Sequence, residues 1–404
     1  MNPPKPLTSR YYRPELDVVR FLAFLLVFLH HNMPQGDDPH FASFPRGFAA
    51  LLTTIHYACS FGLTLFFTLS AFLICELLLR EREATGTVGV KQFYIRRVLR
   101  IWPLYYLALT IGVVIVLLPG GNPSVLKDIG WYAVFLGSWF TALHGWIASP
   151  VSPLWSISVE EQFYLLAPWS VKYLNRTSLY RFCAVIVLVA NGWLYYFGSH
   201  TVNGRRDVGD ARIWTDTFVQ FECFAAGILL CLILHGKLPQ LAIWQRLLTL
   251  AGWWSCWMFA CYGLHSRFNI VGGATENPGS WSLIGGYALA SLGSVLMLVA
   301  FLGLNPKFLP GWAAYFGRIS FGLYVYHQFA IDIAYSLVGH GAQVAFSTRI
   351  LRVVISFVLT CLMAAISYRY FETPFLKLKK RHAVIDSQPV AFDRGNAVPI
   401  VNVA

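Results

Sequence analysis

The sequence predicts an all-α membrane protein, a polytopic bundle of about ten transmembrane helices with one re-entrant or interfacial segment. Three observations predict it. Apolar residues make up 56% of the 404-residue chain and charged residues only 12%. Apolar runs long enough to cross a hydrocarbon layer of about 30 Å recur along the whole length. The Lys and Arg residues between them alternate in density from loop to loop, as they do when collected on the cytoplasmic side. No long polar stretch intervenes, so one integral domain is expected over 1–376, followed by a disordered cytoplasmic tail over 377–404.

The expected crossings are 16–33, 60–79, 98–118, 154–172, 182–198, 214–235, 247–265, 282–304, 313–339 and 349–371. With the N-terminus inside, the cytoplasmic segments hold Lys5, Arg10 and Arg13, then Arg80, Arg82, Lys91, Arg96 and Arg97, and later Lys172, Arg176, Arg181, Lys237, Arg246, Lys307 and the Lys377–Arg381 run. The outer loops hold Arg46, Lys127, Arg205, Arg206, Arg212 and Arg267. Residues 34–47 and 199–212 are thus expected outside, and 80–96 and 236–246 inside, with both termini cytoplasmic. The apolar segment 130–148 breaks this alternation if counted as a crossing. It is read as entering and leaving on the outer face, with Trp131, Trp139 and Trp146 suited to an interface. The net charge of +12 then reflects loop bias rather than nucleic-acid binding. The first apolar run is too long, and too polar at Arg20 and His31, for a cleaved signal peptide. The eight cysteines form no Cys-x-x-Cys pair and read as small packing residues.

Arg20 and His31 stand out in the first span. They are eleven residues apart. At about 100° per residue they return to one helix face, about 16 Å apart along the axis. Asp17 shares that face and is placed to pair with Arg20. Ionisable side chains inside a membrane are costly and mark functional sites by default. An imidazole also suits proton transfer near neutral pH. His30 points about 100° away and reads as a neighbour.

Six short strings then add up to a family resemblance. They are Leu16-Asp17-Val18-Val19-Arg20 with His31; Phe66-Phe67-Thr68-Leu69-Ser70-Ala71-Phe72-Leu73-Ile74; Arg96-Arg97-Val98-Leu99-Arg100-Ile101-Trp102-Pro103-Leu104-Tyr105; Leu154-Trp155-Ser156-Ile157-Ser158-Val159-Glu160-Glu161-Gln162-Phe163-Tyr164; Gly317-Arg318-Ile319-Ser320-Phe321-Gly322-Leu323-Tyr324 with His327; and Phe371-Glu372-Thr373-Pro374-Phe375. In this order, from about residue 14 to 376, the chain resembles the acyltransferase-3 family of integral membrane O-acyltransferases. The resemblance implies transfer of an acyl group, commonly acetyl, from acyl-coenzyme A to a hydroxyl of a glycan, lipid-linked sugar or glycoside. The family's essential first-span histidine falls on His31 and its paired third-span arginines on Arg97 and Arg100. A bacterial inner membrane is the location that the resemblance implies. Two positions depart from the pattern: Thr64 stands where an acidic residue is usual, and Ala71 where Gly is usual.

The residues themselves support this reading and leave alternatives open. His31 can serve as general base or as transient acyl carrier, against a satisfied interior histidine. Arg97 and Arg100, three apart, can grip the phosphates of coenzyme A, against simple topology anchoring, which accounts for Arg96. Tyr105 is expected to line a cavity opened where Pro103 interrupts the helix. Ser158 to Glu161 reads as a capping box, and its second carboxylate suggests that Glu160 or Glu161 faces the interior. Trp155 is read as structural. Ser320, Tyr324 and His327 form a polar stripe, for substrate or for helix-to-helix hydrogen bonds. Glu222 is a weaker substrate-site candidate. No metal-ligand spacing and no permanently bound cofactor are expected; acyl-coenzyme A would be a co-substrate. No fused hydrolase domain is seen, so direct transfer to the acceptor is expected. The rival class is a transporter or flippase whose polar residues line a substrate path.

Overall fold

The computed structural model describes residues 11–33, 45–119, 121–202, 205–206, 210–264, 279–339 and 346–385. Most of the expected outer loop at 34–47 lies outside these residues, as do His40, His265, Arg267, His340 and the tail beyond Ile385. The described chain is an all-α, polytopic membrane helix bundle.

Each expected crossing falls on a helix. They are α1 (Pro14–Asn32), α3 (Gly62–Thr85), α4 (Val90–Leu117), α7 (Trp155–Tyr173), α8 (Arg176–Ser199), α10 (Thr217–Leu234), α11 (Ile243–Tyr262), α12 (Ser280–Phe301), α14 (Ser320–Val338) and α15 (Phe346–Ser367). Six spans among the described residues are long and apolar enough to cross by length and composition alone: Arg46–Thr85, α4, α8, α10, α12 and Phe346–Lys380. Of the four helices that fall short, α1, α7 and α14 carry most of the candidate polar residues. Polar side chains lower hydropathy where they serve the interior.

Shorter helices complete the fold. α2 (Arg46–Ser60) leads into α3 across Phe61, so helix begins well before the expected start at 60. α5 (Val125–Ala133) and α6 (Gly137–His144) occupy the segment that broke the charge alternation. At 1.5 Å per residue they reach about 13 and 12 Å, far short of a crossing. Phe135, at φ 58°, turns the chain between them. α9 (Asp210–Thr215) precedes α10, whose first turn is capped by Asp216 accepting from the Phe218 and Val219 amides. α13 (Gly311–Arg318) leads into α14. A π-helical stretch, Tyr368–Glu372, joins α15 to α16 (Thr373–Lys380). A two-residue antiparallel ribbon pairs Thr201–Val202 with Arg205–Arg206.

The capping-box expectation is corrected. α7 starts at Trp155, after a 3-10 turn over Ser152–Leu154 that Pro153 favours, so Ser158 lies inside the helix. Its hydroxyl accepts from the Gly137 amide at 3.2 Å and so holds the start of α6. Trp155 is structural as expected, buried against Trp146 and Trp214. Helix also runs on to Lys380, past the boundary expected at 376.

Close packing positions the site. α1 sits against α13, α3 and α14, and α3 against α10. Phe21 stacks on Phe316, and Phe67 on Phe224. Two glycines permit these contacts: a Cβ on Gly317 would collide with the Asp17 carbonyl oxygen, and one on Gly227 with that of Thr68. Gly227 also faces Ala71, so it makes room for the methyl where the family pattern has Gly. Thr64, the other departure, is buried. Six of the eight cysteines are buried.

Candidate active site

Side chains from seven helices converge on one cavity of about 280 Å³. α1 contributes Asp17 and Arg20, α3 Ser70, and α4 Arg97 and Arg100. Ser156, Glu160 and Tyr164 come from α7, Arg318 from the end of α13, Ser320 and Tyr324 from α14, and Lys379 from α16. Arg13 and Tyr12 join from the strand of chain before α1.

The charge balance of this lining is lopsided. It holds six cations, Arg13, Arg20, Arg97, Arg100, Arg318 and Lys379, against two carboxylates, Asp17 and Glu160. Both carboxylates are engaged by the protein. Asp17 pairs with Arg20 and accepts from the Tyr12 hydroxyl at 2.9 Å. Burial, with Asp17 beside it, pushes the Tyr12 hydroxyl above its ordinary value, so it remains a donor. Glu160 accepts from Ser70 at 2.6 Å and from Tyr164. Among the described residues no carboxylate comes within ion-pair distance of Arg97 or Arg100. Glu372 acts on Arg100 only from beyond the lining. The Arg97 guanidinium lies over the Phe93 and Tyr164 rings, each 5.3 Å away, and its Nε has no hydrogen-bond partner. These cations are half-buried and outnumber the carboxylates, so the cavity's field favours an anion.

The polar stripe on α14 leads out of this cavity. Ser320 and Tyr324 line it, and His327, one turn further, does not. The Tyr324 hydroxyl is held by Ser156 at 2.6 Å and the Pro153 carbonyl at 2.8 Å. His327 is fully buried, with Nδ1 hydrogen-bonded to the Tyr324 carbonyl. Its ring centre is 5.1 Å from that of His31, at the exposed end of α1. His31 also contacts His30, which in turn packs on His56. The expected Arg20–His31 face therefore runs from the cavity, at Arg20, to a histidine cluster beyond its end. Among the described residues no group of three His, Cys, Asp or Glu side chains is arranged to hold a metal ion.

Three expected site residues are placed elsewhere. Tyr105 does not line the cavity: it is fully buried, donates to the Tyr132 carbonyl at 2.6 Å and stacks on Phe135. Pro103 lies inside an uninterrupted α4, and Tyr105 serves the α5–α6 turn. Of the two adjacent carboxylates, Glu160 faces the cavity, while Glu161, about 100° around the helix, accepts from Trp102 at 3.3 Å. Glu222 is buried in α10, away from the cavity, one of its oxygens unpartnered. Arg96 is more than a topology anchor: it bridges Glu81 at 2.9 Å and donates to the His382 carbonyl at 2.9 Å, tying the C-terminal segment to α3.

Sequence reasoning passed over Ser70, Tyr164, Ser156, Arg318, Arg13 and Lys379 as site residues. The first four sit inside the quoted strings, and Tyr164 stands four residues after Glu160, so helical spacing could have found it. Lys379 gave no signal beyond a basic run. Only the packing of α16 against α4 brings it in.

The family model described as an acyltransferase domain matches residues 13–369. The peptidoglycan O-acetyltransferase OatA of Listeria monocytogenes is 24% identical over 396 aligned residues, covering 91% of this chain and 56% of that protein. The O-acetyltransferase OatA of Staphylococcus aureus is 23% identical over 391 residues, covering 91% of this chain and 58% of that protein. The chain thus spans little more than half the length of these curated relatives. No solved structure matches it. With its family model spanning nearly the whole helical bundle, the chain belongs to the acyltransferase-3 family.

Proposed function

We propose that this protein transfers an acyl group, acetyl in the simplest case, from acyl-coenzyme A to a hydroxyl of a glycan, lipid-linked sugar or glycoside at the membrane. The observation that carries the proposal is the cationic cavity. Its six positive side chains and two engaged carboxylates leave an excess of positive charge. Coenzyme A supplies a 3′-phosphate and a pyrophosphate, whose oxygens accept two-pronged hydrogen bonds from guanidinium groups. In this reading the phosphates dock at Arg97 and Arg100 with help from Arg318 and Lys379. The pantetheine arm follows the Arg20 face past Ser320 and Tyr324. The thioester then arrives at His31, which meets the acceptor as general base or transient acyl carrier.

The loop charge bias supports a cytoplasmic position for the Arg97 end and an extracytoplasmic one for His31, with both termini inside. Such a layout acylates an outer acceptor without moving acyl-coenzyme A across the membrane. A bacterial cell membrane is the corresponding location. The Listeria relative named for peptidoglycan makes a cell-wall glycan the first acceptor to try.

The test is calorimetric titration of purified protein with coenzyme A, dephospho-coenzyme A and pantetheine, together with thiol release from acetyl-coenzyme A. Falling affinity along that series and slow thiol release support the reading. Equal affinity for all three, with no thiol release, would overturn it and favour a transporter.

A further inference from the structure

His327 has one nitrogen accounted for and one not. A carbonyl oxygen only accepts, so the Nδ1 bonded to the Tyr324 carbonyl must carry the hydrogen. That leaves Nε2 as a bare lone pair. It is buried and has no hydrogen-bond partner among the described residues. Tyr324 cannot supply a donor, because its hydroxyl is committed to Ser156 and Pro153 on the far side. The neighbouring ring is His31, 5.1 Å away between centres and inclined at 42°. No hydrogen bond links the two rings in this structure, yet the buried imidazole of His327 packs beside the exposed one of His31.

We propose that His327 is the positioning residue of His31: its Nε2 accepts an N–H from His31 and thereby selects the His31 tautomer. A hydrogen bond at one imidazole nitrogen decides which nitrogen is protonated, and so frees the other to act as base. This deepens the acyltransferase reading and rests on it. In the transfer step the bare His31 nitrogen takes the acceptor hydroxyl's proton. The hydroxyl oxygen bonds to the acyl carbon, the carbon–sulfur bond breaks with its electron pair on sulfur, and the proton passes from His31 to the thiolate.

The arrangement also explains a spacing that the stripe on α14 left open. Ser320 and Tyr324 face the cavity, whereas His327 stands behind the base, where a fully buried group can hold a tautomer but cannot meet substrate.

Two measurements on the full-length protein test it. The first needs no turnover. In protein labelled with ¹⁵N-histidine, the His31 signals, identified by their loss in His31→Gln, report the tautomer. Wild type should show one dominant form at neutral pH, and His327→Leu a mixture. An unchanged His31 spectrum in His327→Leu would overturn the proposal even if the acyltransferase reading stands. The second is kinetic, with acetyl-coenzyme A as donor, water as acceptor and thiol release as readout. His327→Leu should lose on the order of 10²-fold in kcat with little change in KM, as misplacing a catalytic group does. His327→Gln, whose amide oxygen can stand in for Nε2 as an acceptor, should recover most of it. Equal loss in the Leu and Gln variants would overturn the positioning role. Absence of thiol release from wild type would strike the acyltransferase reading instead, and the tautomer measurement would still decide this one.

Discussion

Replacing Arg97 by Ala should separate ligand binding from stability. The half-buried guanidinium lies over the Phe93 and Tyr164 rings, with its Nε unpartnered and no carboxylate at ion-pair distance among the described residues. Its hydrogen bonds to a phosphate would be charge-assisted, worth about 1.5–3 kcal/mol. At 1.4 kcal/mol per factor of ten, Kd for coenzyme A should rise about 10- to 150-fold. The same truncation removes one cation from a like-charged cluster with Arg96, Arg100 and Lys379. The ligand-free variant should therefore melt no earlier than wild type, while coenzyme A should raise its Tm less. Arg97→Lys should recover only part of the affinity, because an ammonium lacks the planar fork. Arg96→Ala should behave in the opposite way. Its partner Glu81 is nearly buried, with a 4% exposed side chain, and would be left without its cation. Breaking such a pair costs about 3–5 kcal/mol, so Tm should fall while affinity holds. Calorimetric titration and thermal melting of the three variants decide the matter. Unchanged affinity in Arg97→Ala and Arg100→Ala would refute the phosphate site and return both residues to topology anchors.

Other predictions concern the far end of the site and the frame. His31→Ala should lower transfer by about 10²–10⁴-fold without loss of folded protein, and His30→Ala far less; equal losses would remove His31 from its role. Gly317→Ala should lower Tm by forcing a methyl against the α1 backbone at Asp17, an overpacking cost of about 1–3 kcal/mol, and an unaltered Tm would refute that contact. Gln162→Ala should loosen the α5–α6 turn, because Gln162 holds the Phe135 carbonyl, Ser138, Trp139 and Thr217; faster amide exchange over 133–140 is the expected readout. With the native cysteines replaced, Thr87→Cys should react with an impermeant thiol reagent only from the cytoplasmic side and Ala148→Cys only from outside. The reverse pattern would invert the proposed topology.

Periodicity carried some of this arrangement into the sequence. The pairing of Asp17 with Arg20, the shared face of Arg97 and Arg100, and the stripe Ser320–Tyr324–His327 all follow from about 100° per residue; the first two appear in the structure, and of the stripe Ser320 and Tyr324 line the cavity while His327 lies beyond it. The charge alternation likewise singled out 130–148, which is built from two helices too short to cross. Where local rules competed, they misled. The string Ser158 to Glu161 obeys the capping-box pattern, but Pro153 starts the helix earlier and the Ser158 hydroxyl is taken by Gly137. Tyr105 follows Pro103 as a cavity residue should, yet the Tyr132 carbonyl claims its hydroxyl.

The sequence by itself determined the class of the fold, the helices and which residues share a face, because these depend on interactions within a few residues along one chain segment. It could not determine which face meets which. Glu160 and Glu161 are equivalent in sequence and differ because Ser70 of α3 stands on one side of α7 and Trp102 of α4 on the other. Lys379 became a cavity residue because α16, continuing α15 through the π-helical stretch, packs against α4. His327 came to stand behind His31 because the close contact of Gly317 with Asp17 brings α13, and with it α14, against α1. Each of these outcomes is a contact between segments far apart in the chain, set by helix packing, and no spacing rule within a segment contains it.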